Sequence, residues 1–378
     1  MSANNIAIIP GTNATERRPL IGMTLEQLRE VCNEVGAKPF AAKQMARWLY
    51  VARVSDIDAM TDLSKDVRLH LAERYIVGRE APLKSVTSVD GTVKYLFRGS
   101  QGRDIESVYI PDGERATLCV SSQAGCRMGC KFCMTGRQGF HGNLTSAQII
   151  NQVMSVDGSE SLTNLVFMGM GEPADNLDAV IAAIEILTAP WGFAWSPKRI
   201  TVSTIGRIPH IERLLTETKV HIAISVHSPF SGERASLMPS ERAWPLHDIF
   251  ERLSRHDWTG QRRLSVEYIM WRGVNDDLRH ADALARLVRP VHARVNLIRF
   301  HDIGDTRLQP SSRATMETFR DRLNNLGVTA TIRASRGEDI MAACGMLAGE
   351  AKCSEPGQSS AILPESHANQ PGVTTELS

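Results

Sequence analysis

Cys126-Arg127-Met128-Gly129-Cys130-Lys131-Phe132-Cys133 puts three cysteines into eight residues at C-x3-C-x2-C spacing. The residues before it, 116–120 (Ala-Thr-Leu-Cys-Val), are apolar and β-branched and predict a strand, so the three thiols sit on a loop at a strand's end. Three thiolates on so short a loop can each ligate one iron of a cubane cluster and leave the fourth iron open to a small chelating ligand. A structural zinc site is the alternative. It needs a fourth closed ligand, which Cys119 offers only from an unusual spacing on the strand itself.

Beyond the loop the pattern alternates. The capping box Thr145-Ser146-Ala147-Gln148 opens a helix to about residue 156. Strands are expected at 164–168, 199–203, 220–226, 264–270, 294–298 and 329–333, with helices at 177–187, 208–215, 246–254, 276–288 and 313–326. Such alternation predicts parallel strands covered by helices. From the strand at 116–120 to that at 294–298 there are six repeats, with one more strand after them. That is too few to close an eightfold barrel, so the expected fold class is α/β, a partial (β/α)6 TIM-type barrel.

Ligands in such folds gather at the C-terminal ends of the strands. There Gly169-Met170-Gly171-Glu172-Pro173 combines a tight turn with a carboxylate able to accept a hydrogen bond from a ligand ammonium. Ser203 and Ser225-Val226-His227 end two further strands, and Asn296 lies within another. Cys344, in Ala342-Ala343-Cys344-Gly345, follows the last strand at the expected mouth.

Upstream, strands at 93–97 and 106–110 form a short β extension, and the latter carries Glu106. Farther back, Thr24-Leu25-Glu26-Gln27 is a capping box for a helix ending near Glu34, before Gly36. A second amphipathic helix is expected over 41–51, with Met45, Trp48 and Leu49 as its stripe. The layout is therefore a helical N-terminal domain (1–85), the barrel core with its β extension (86–348) and a disordered tail (349–378) rich in Ser, Pro, Glu and Gln. The N-terminal domain carries Lys38, Lys43, Arg47 and Arg53, a local basic cluster, against the alternative of ordinary solvated charges.

Composition sets outer bounds. With 43 basic and 42 acidic residues the net charge is +1, so a nucleic-acid partner of any kind would have to be held by local basic patches. No apolar run approaches the roughly 20 residues that span a bilayer, and residues 1–11 lack a signal-peptide pattern, so a cytoplasmic location is expected. The seven cysteines are odd in number and clustered, which favours metal binding or catalysis over disulfide stapling.

The cysteine loop, with Phe132 before its last cysteine, resembles that of the radical S-adenosylmethionine (SAM) superfamily. Further segments narrow the resemblance: Lys38-Pro39-Phe40 with Lys43-Gln44, Trp48-Leu49-Tyr50, Asp90-Gly91-Thr92, residues 106–111 and 115–119, Met168 to Pro173, Asn296-Leu297-Ile298, Arg336-Gly337-Glu338-Asp339 and 342–345. Together they resemble the dual-specificity RNA methyltransferases that modify adenine in 23S rRNA and tRNA, colinearly from about residue 24 to 346. The resemblance implies one [4Fe-4S] cluster on Cys126, Cys130 and Cys133. It assigns SAM binding to Gly171, Glu172, Ser203, Ser225, Val226, His227 and Asn296. It makes Cys344 the methyl carrier, Cys119 the group that resolves a covalent intermediate and Glu106 the base. It also implies an RNA partner (23S rRNA, tRNA or both) recognised by the N-terminal domain, an electron-donor protein such as a flavodoxin, a monomer, no membrane partner and a disulfide bond. An adenine ring carbon has no lone pair, so methylation there needs radical chemistry from the cofactor.

Three segments depart from the family's usual sequence: Arg299-Phe300-His301-Asp302, Ser228-Pro229-Phe230 and Ala174-Asp175. They are expected to line the mouth and leave open adenine C2 against C8, the latter being an antibiotic-resistance branch of the family, and the RNA target. A zinc-stabilised RNA-binding protein without catalysis is the reading of a different class.

Overall fold

The computed structural model describes residues 17–304 and 307–349. Its centre is a ten-stranded sheet in which spatial order follows chain order: β1 (Lys84–Thr87), β2 (Val93–Phe97), β3 (Ile105–Asp112), β4 (Arg115–Cys119), β5 (Asn164–Phe167), β6 (Ile200–Thr204), β7 (His221–Ser225), β8 (Leu264–Met270), β9 (Arg294–Arg299) and β10 (Ala330–Ile332). β1 to β4 form an antiparallel meander, and β4 to β10 are all parallel. β1 and β10 are the two free edges, so the sheet curls without closing. The expected six repeats and extra strand are β4–β9 and β10.

The parallel strands are buried and read as nearly continuous apolar runs, as sheets covered on both faces do. In β8, six of seven residues are buried. Each covering helix supplies one apolar stripe; Leu246, Ile249, Phe250 and Leu253 of Leu246–Ser254 are buried at i, i+3, i+4 and i+7. Both capping boxes form, at Thr24 with Gln27 and at Thr145 with Gln148. The helix begun at Ala41 runs regularly only to Ala46 and continues as a wider turn over Arg47–Val51.

The N-terminal segment seats on the barrel through polar bonds with apolar contacts between them. Ser146 Oγ donates to the Gly22 carbonyl (2.7 Å) and Tyr50 Oη to that of Met23 (2.6 Å). The Tyr50 ring lies 6.0 Å from those of Trp191 and Phe193. Arg79 reaches the Met154 carbonyl (2.6 Å), at the far end of the same helix. A two-stranded hairpin, Gln123–Gly125 with Phe140–Asn143, brackets the cysteine loop. It was not expected from sequence, because strands of three and four residues are too short to show a period. Beyond Gly349 the expected tail, with Cys353, lies outside the described residues.

Candidate active site

A cavity of about 510 Å³ runs along the inner side of the open barrel. Ten of the residues nominated from sequence line it: Cys119, Cys126, Cys130, Cys133, Gly171, Glu172, Ser203, Ser225, His227 and Cys344. Three do not. Val226 is fully buried, its N–H bonded to the Glu267 carbonyl. Asn296 spends its side-chain amide on Glu267 and Thr331. Glu106 is held on β3 by Lys94 Nζ (2.9 Å) and by the N–H groups of Ala348 (2.8 Å) and Gly349 (3.1 Å).

The cysteine loop is fixed from several sides. Cys126 N–H donates to the Gly139 carbonyl of the bracketing hairpin (2.8 Å), Lys131 N–H to Leu237 (3.1 Å) and Cys133 N–H to Cys130 (3.2 Å). Asp175, whose side chain is 4% exposed, pairs with Arg127 inside the loop (3.3 Å) and with Arg207 beyond the end of β6. Asp175 is one of the departures expected at the mouth. The structure corrects that: Arg299 and His301 line the cavity, whereas Ala174, Asp175, Ser228 and Phe230 do not. Burial pushes the Cys126 thiol up to about 12 and that of Cys130 well above its ordinary value, so neither ionises at neutral pH without a metal to hold the thiolate.

The donor set fits a cubane better than a single ion. A tetrahedral zinc with bonds of about 2.3 Å brings its sulfurs within about 4 Å of one another. Among the described residues, His247, Asp248 and Glu251, all exposed, are the one trio of metal-ligating groups whose ligand atoms lie within 4.8 Å of each other. The three loop sulfurs do not all lie within 4.8 Å of one another, and three thiolates on one short loop are the donor set that a cubane with one open iron takes. All six described cysteines are free, so the disulfide that the resemblance implied is not formed here.

Gly171 shows why the adjoining turn needs glycine. Its φ is +100°, and a Cβ there would meet Gln123 Cβ at 2.6 Å and Gln123 N at 2.8 Å. The turn places Glu172 with Oε1 accepting from Ala174 N–H (3.1 Å) and Oε2 from Ile205 N–H (3.0 Å). Burial raises its carboxyl above the ordinary range, and these donors with the Thr204 side chain pull the other way. His227, with φ +59°, is buried and pushed down to about 3 by burial and by the Arg234 charge. Its Nδ1 accepts from Ile269 N–H (3.1 Å), so the single ring proton resides on Nε2.

Cys344 and Cys119 face the same cavity from different parts of the chain. Burial, followed by the charge of Cys344, raises the Cys119 thiol; Cys344 is open to solvent, and the desolvating walls of the cavity, followed by the charge of Glu267, raise its thiol. The segment carrying Cys344 is strapped down on both sides. Met134 N–H donates to the Gly345 carbonyl (2.8 Å), Thr135 Oγ1 to Leu347 (2.6 Å) and Lys94 Nζ to Met341 (3.4 Å). Asp90 accepts from Gly337 N–H (3.0 Å), and Ser88 Oγ donates to Asp339 (2.5 Å), so the β1–β2 turn clasps the segment leading to Cys344.

Sequence reasoning missed two buried groups. Arg234 is fully buried, donates to the carbonyls of Ile205, Ser225 and Val226, and pairs with Glu241. It therefore joins the ends of β6 and β7. Glu267 lies on β8 between Ser225 and Asn296. A charged residue inside an otherwise apolar strand, Leu264-Ser-Val-Glu-Tyr-Ile-Met270, was the signal that could have found it.

Comparison with known proteins agrees with this geometry. Residues 19–77 match the ribosomal RNA large subunit methyltransferase N-terminal domain, and residues 120–285 match the radical SAM superfamily. The crystal structure of a radical SAM methyltransferase from Sphaerobacter thermophilus superposes with a TM-score of 0.81 at 38% identity, over 87% of this chain and 99% of that one. The probable dual-specificity RNA methyltransferase RlmN of Porphyromonas gingivalis (strain ATCC 33277) is 54% identical over 336 residues, 89% of this chain and 95% of that protein. The dual-specificity RNA methyltransferase RlmN of Syntrophotalea carbinolica is 40% identical, over 91% of this chain and 93% of its own. The open barrel and its three-cysteine loop thus define the class, a radical SAM protein. Within that class, the chain belongs to the family of dual-specificity RNA methyltransferases.

Proposed function

We propose that this protein methylates C2 of an adenine in 23S rRNA, tRNA or both, using Cys344 as the methyl carrier. The observation that carries the reading is the convergence of Cys344, Cys119, the three-cysteine loop and the Gly171-Glu172 turn on one cavity. Cys126, Cys130 and Cys133 would hold a [4Fe-4S] cluster, and Glu172 with Ser203, Ser225 and His227 would line the SAM site. Bound there, cluster and SAM supply the carbon-radical chemistry that a ring carbon without a lone pair demands.

The chain's own residues do the rest. Cys344 accepts a methyl group on its sulfur and presents it to the base. Cys119, as a thiolate, attacks the Cys344 sulfur: a Cys119–Cys344 disulfide forms as the bond from that sulfur to the base-linked carbon breaks, and the freed carbon takes up a proton to become the methyl group. Glu106, which does not line the cavity as it stands, takes the ring proton only after it releases Lys94 and the N–H groups of Ala348 and Gly349 and turns towards the base. The target base must be unpaired or flipped out to reach the cavity. The N-terminal helical domain, with Lys38, Lys43 and Arg47 exposed, binds the surrounding RNA. A one-electron donor protein of the flavodoxin type completes the system. No described helix is long and apolar enough to cross a membrane.

The test is mass spectrometry of the peptide containing Cys344, from protein produced with SAM available. One added methyl group on Cys344 is expected, and its absence from cluster-loaded protein would contradict the assignment. Transfer to C8 is the second reading: Arg299 and His301, where the chain departs from the family's usual sequence, line the same cavity.

A further inference from the structure

Glu267 occupies the middle of a polar rung across four strands: Ser225 on β7, Glu267 on β8, Asn296 on β9 and Thr331 on β10 stand side by side in register. Its Oε1 accepts from Asn296 Nδ2 (2.8 Å) and from Ser265 Oγ (3.1 Å), and Asn296 Oδ1 in turn accepts from Thr331 Oγ1 (3.2 Å). Oε1 is therefore saturated. Oε2 is shielded from solvent and has no hydrogen-bond partner. Glu267 is 4% exposed and lines the cavity. Among the described residues, it is the one cavity-lining residue that leaves a buried polar side-chain atom without a partner.

A buried carboxylate oxygen without a donor is costly, and a fold keeps one where a bound molecule brings the donor. The rest of the wall narrows what that molecule is. Ile205, Ile269, Ile298 and Met238 give the cavity apolar wall on which a heterocyclic ring can pack. Arg333 and Cys344 also line it; burial raises the Glu267 carboxyl above its ordinary value, and the Arg333 charge with the bonds from Asn296 and Ser265 pulls it back towards the ionised form. A ring body carrying N–H or O–H donors fits both requirements.

We infer that Glu267 is an adenosine-binding carboxylate, accepting on Oε2 a hydrogen bond from the exocyclic amine or a ribose hydroxyl. This deepens the reading above and rests on it: SAM and the target nucleotide each bring an adenosine into the same cavity. Asn296 acts in this arrangement as a positioning residue, orienting Glu267 through its amide.

Glu267→Gln tests the assignment because it keeps size and the Oε1 contacts while replacing the free acceptor with an NH2 donor. Cluster-loaded wild type and variant are titrated calorimetrically with S-adenosylhomocysteine and with an RNA hairpin bearing one unpaired adenosine. A loss of at least tenfold for S-adenosylhomocysteine alone assigns Glu267 to the cofactor's adenosine. The same loss for the hairpin alone assigns it to the target. Losses within twofold for both overturn the proposal. A ligand-side comparison needs no variant: wild type should bind analogues lacking the amine or a ribose hydroxyl at least tenfold more weakly, and equal binding of all analogues overturns it. Wild type that binds these ligands through Glu267 yet transfers no methyl group sinks the functional reading and leaves this one standing. Wild type that binds neither ligand overturns both.

Discussion

A thiol attacks only once its proton has left; burial raises Cys119, and the protein around Cys344, with the Glu267 charge, raises that thiol too, although its side chain is open to solvent. The cavity must therefore gain positive charge, or lose that of Glu267, before either becomes a nucleophile. Cys344→Ala should abolish methyl transfer while the iron content of the cluster stays that of wild type. Cys119→Ala should leave RNA covalently attached to protein, seen as a shifted band on a denaturing gel; free RNA in both variants would remove Cys119 from the release step. His227 follows a different logic. Its folded value near 3 lies below the unfolded value of about 6.5, so its contribution to stability is complete above pH 6.5 and is lost as pH falls towards 3. Thermal melts between pH 7 and pH 4 should show a smaller acid-induced loss for His227→Gln than for wild type.

Two elements concentrate the energetics of the site. Arg234 and Glu241 are a buried pair, with side chains 0% and 2% exposed. Removing one partner alone, as in Arg234→Met, should cost about 3–5 kcal/mol, and removing both should cost much less than the sum of the singles. Denaturant titrations of the two single variants and the double variant decide this. Gly171→Ala should cost about 1–3 kcal/mol through its φ of +100° and weaken SAM binding with it, since the turn positions Glu172. The elements themselves were largely readable in the sequence. Leu246–Ser254 and Leu264–Met270 fall on the expected bounds, because long amphipathic and long apolar runs leave no competing period. Ser231–Leu237 and the Gln123–Gly125 hairpin were not legible. Both are short and are stabilised by partners distant in the chain. The same holds for Arg234, whose role depends on carbonyls brought together only by the fold.

At the scale of the molecule, the barrel leaves one side open, and the chain closes it with its own C-terminal strap. Asp90 and Ser88 from the β1–β2 turn, with Lys94 and Glu106 from β2 and β3, grip residues 337–349 around Cys344. This explains the distance between sequence and site at Glu106. Its place on a strand was legible, but its commitment to Ala348 and Gly349 depends on a pairing 242 residues away in the chain. Burial alone would raise the Asp90 carboxyl, but bonds from Thr92 and Gly337 outweigh it and hold the group at about 2. Its contribution is full above about pH 4 and is lost as pH falls towards 2. Asp90→Asn should therefore loosen the strap at neutral pH, read as faster proteolytic cleavage between 337 and 349. Unchanged cleavage would remove Asp90 from the strap.

The central claim, that this cavity methylates an adenine ring carbon through Cys344, is tested most directly by mass spectrometry of modified nucleosides. The samples are 23S rRNA and tRNA from cells lacking their own enzyme, supplied with the wild-type gene or with Cys344→Ala. The account requires 2-methyladenosine with the wild type and none with the variant. Its appearance with both would contradict the role of Cys344, and 8-methyladenosine in its place would contradict the assignment to C2.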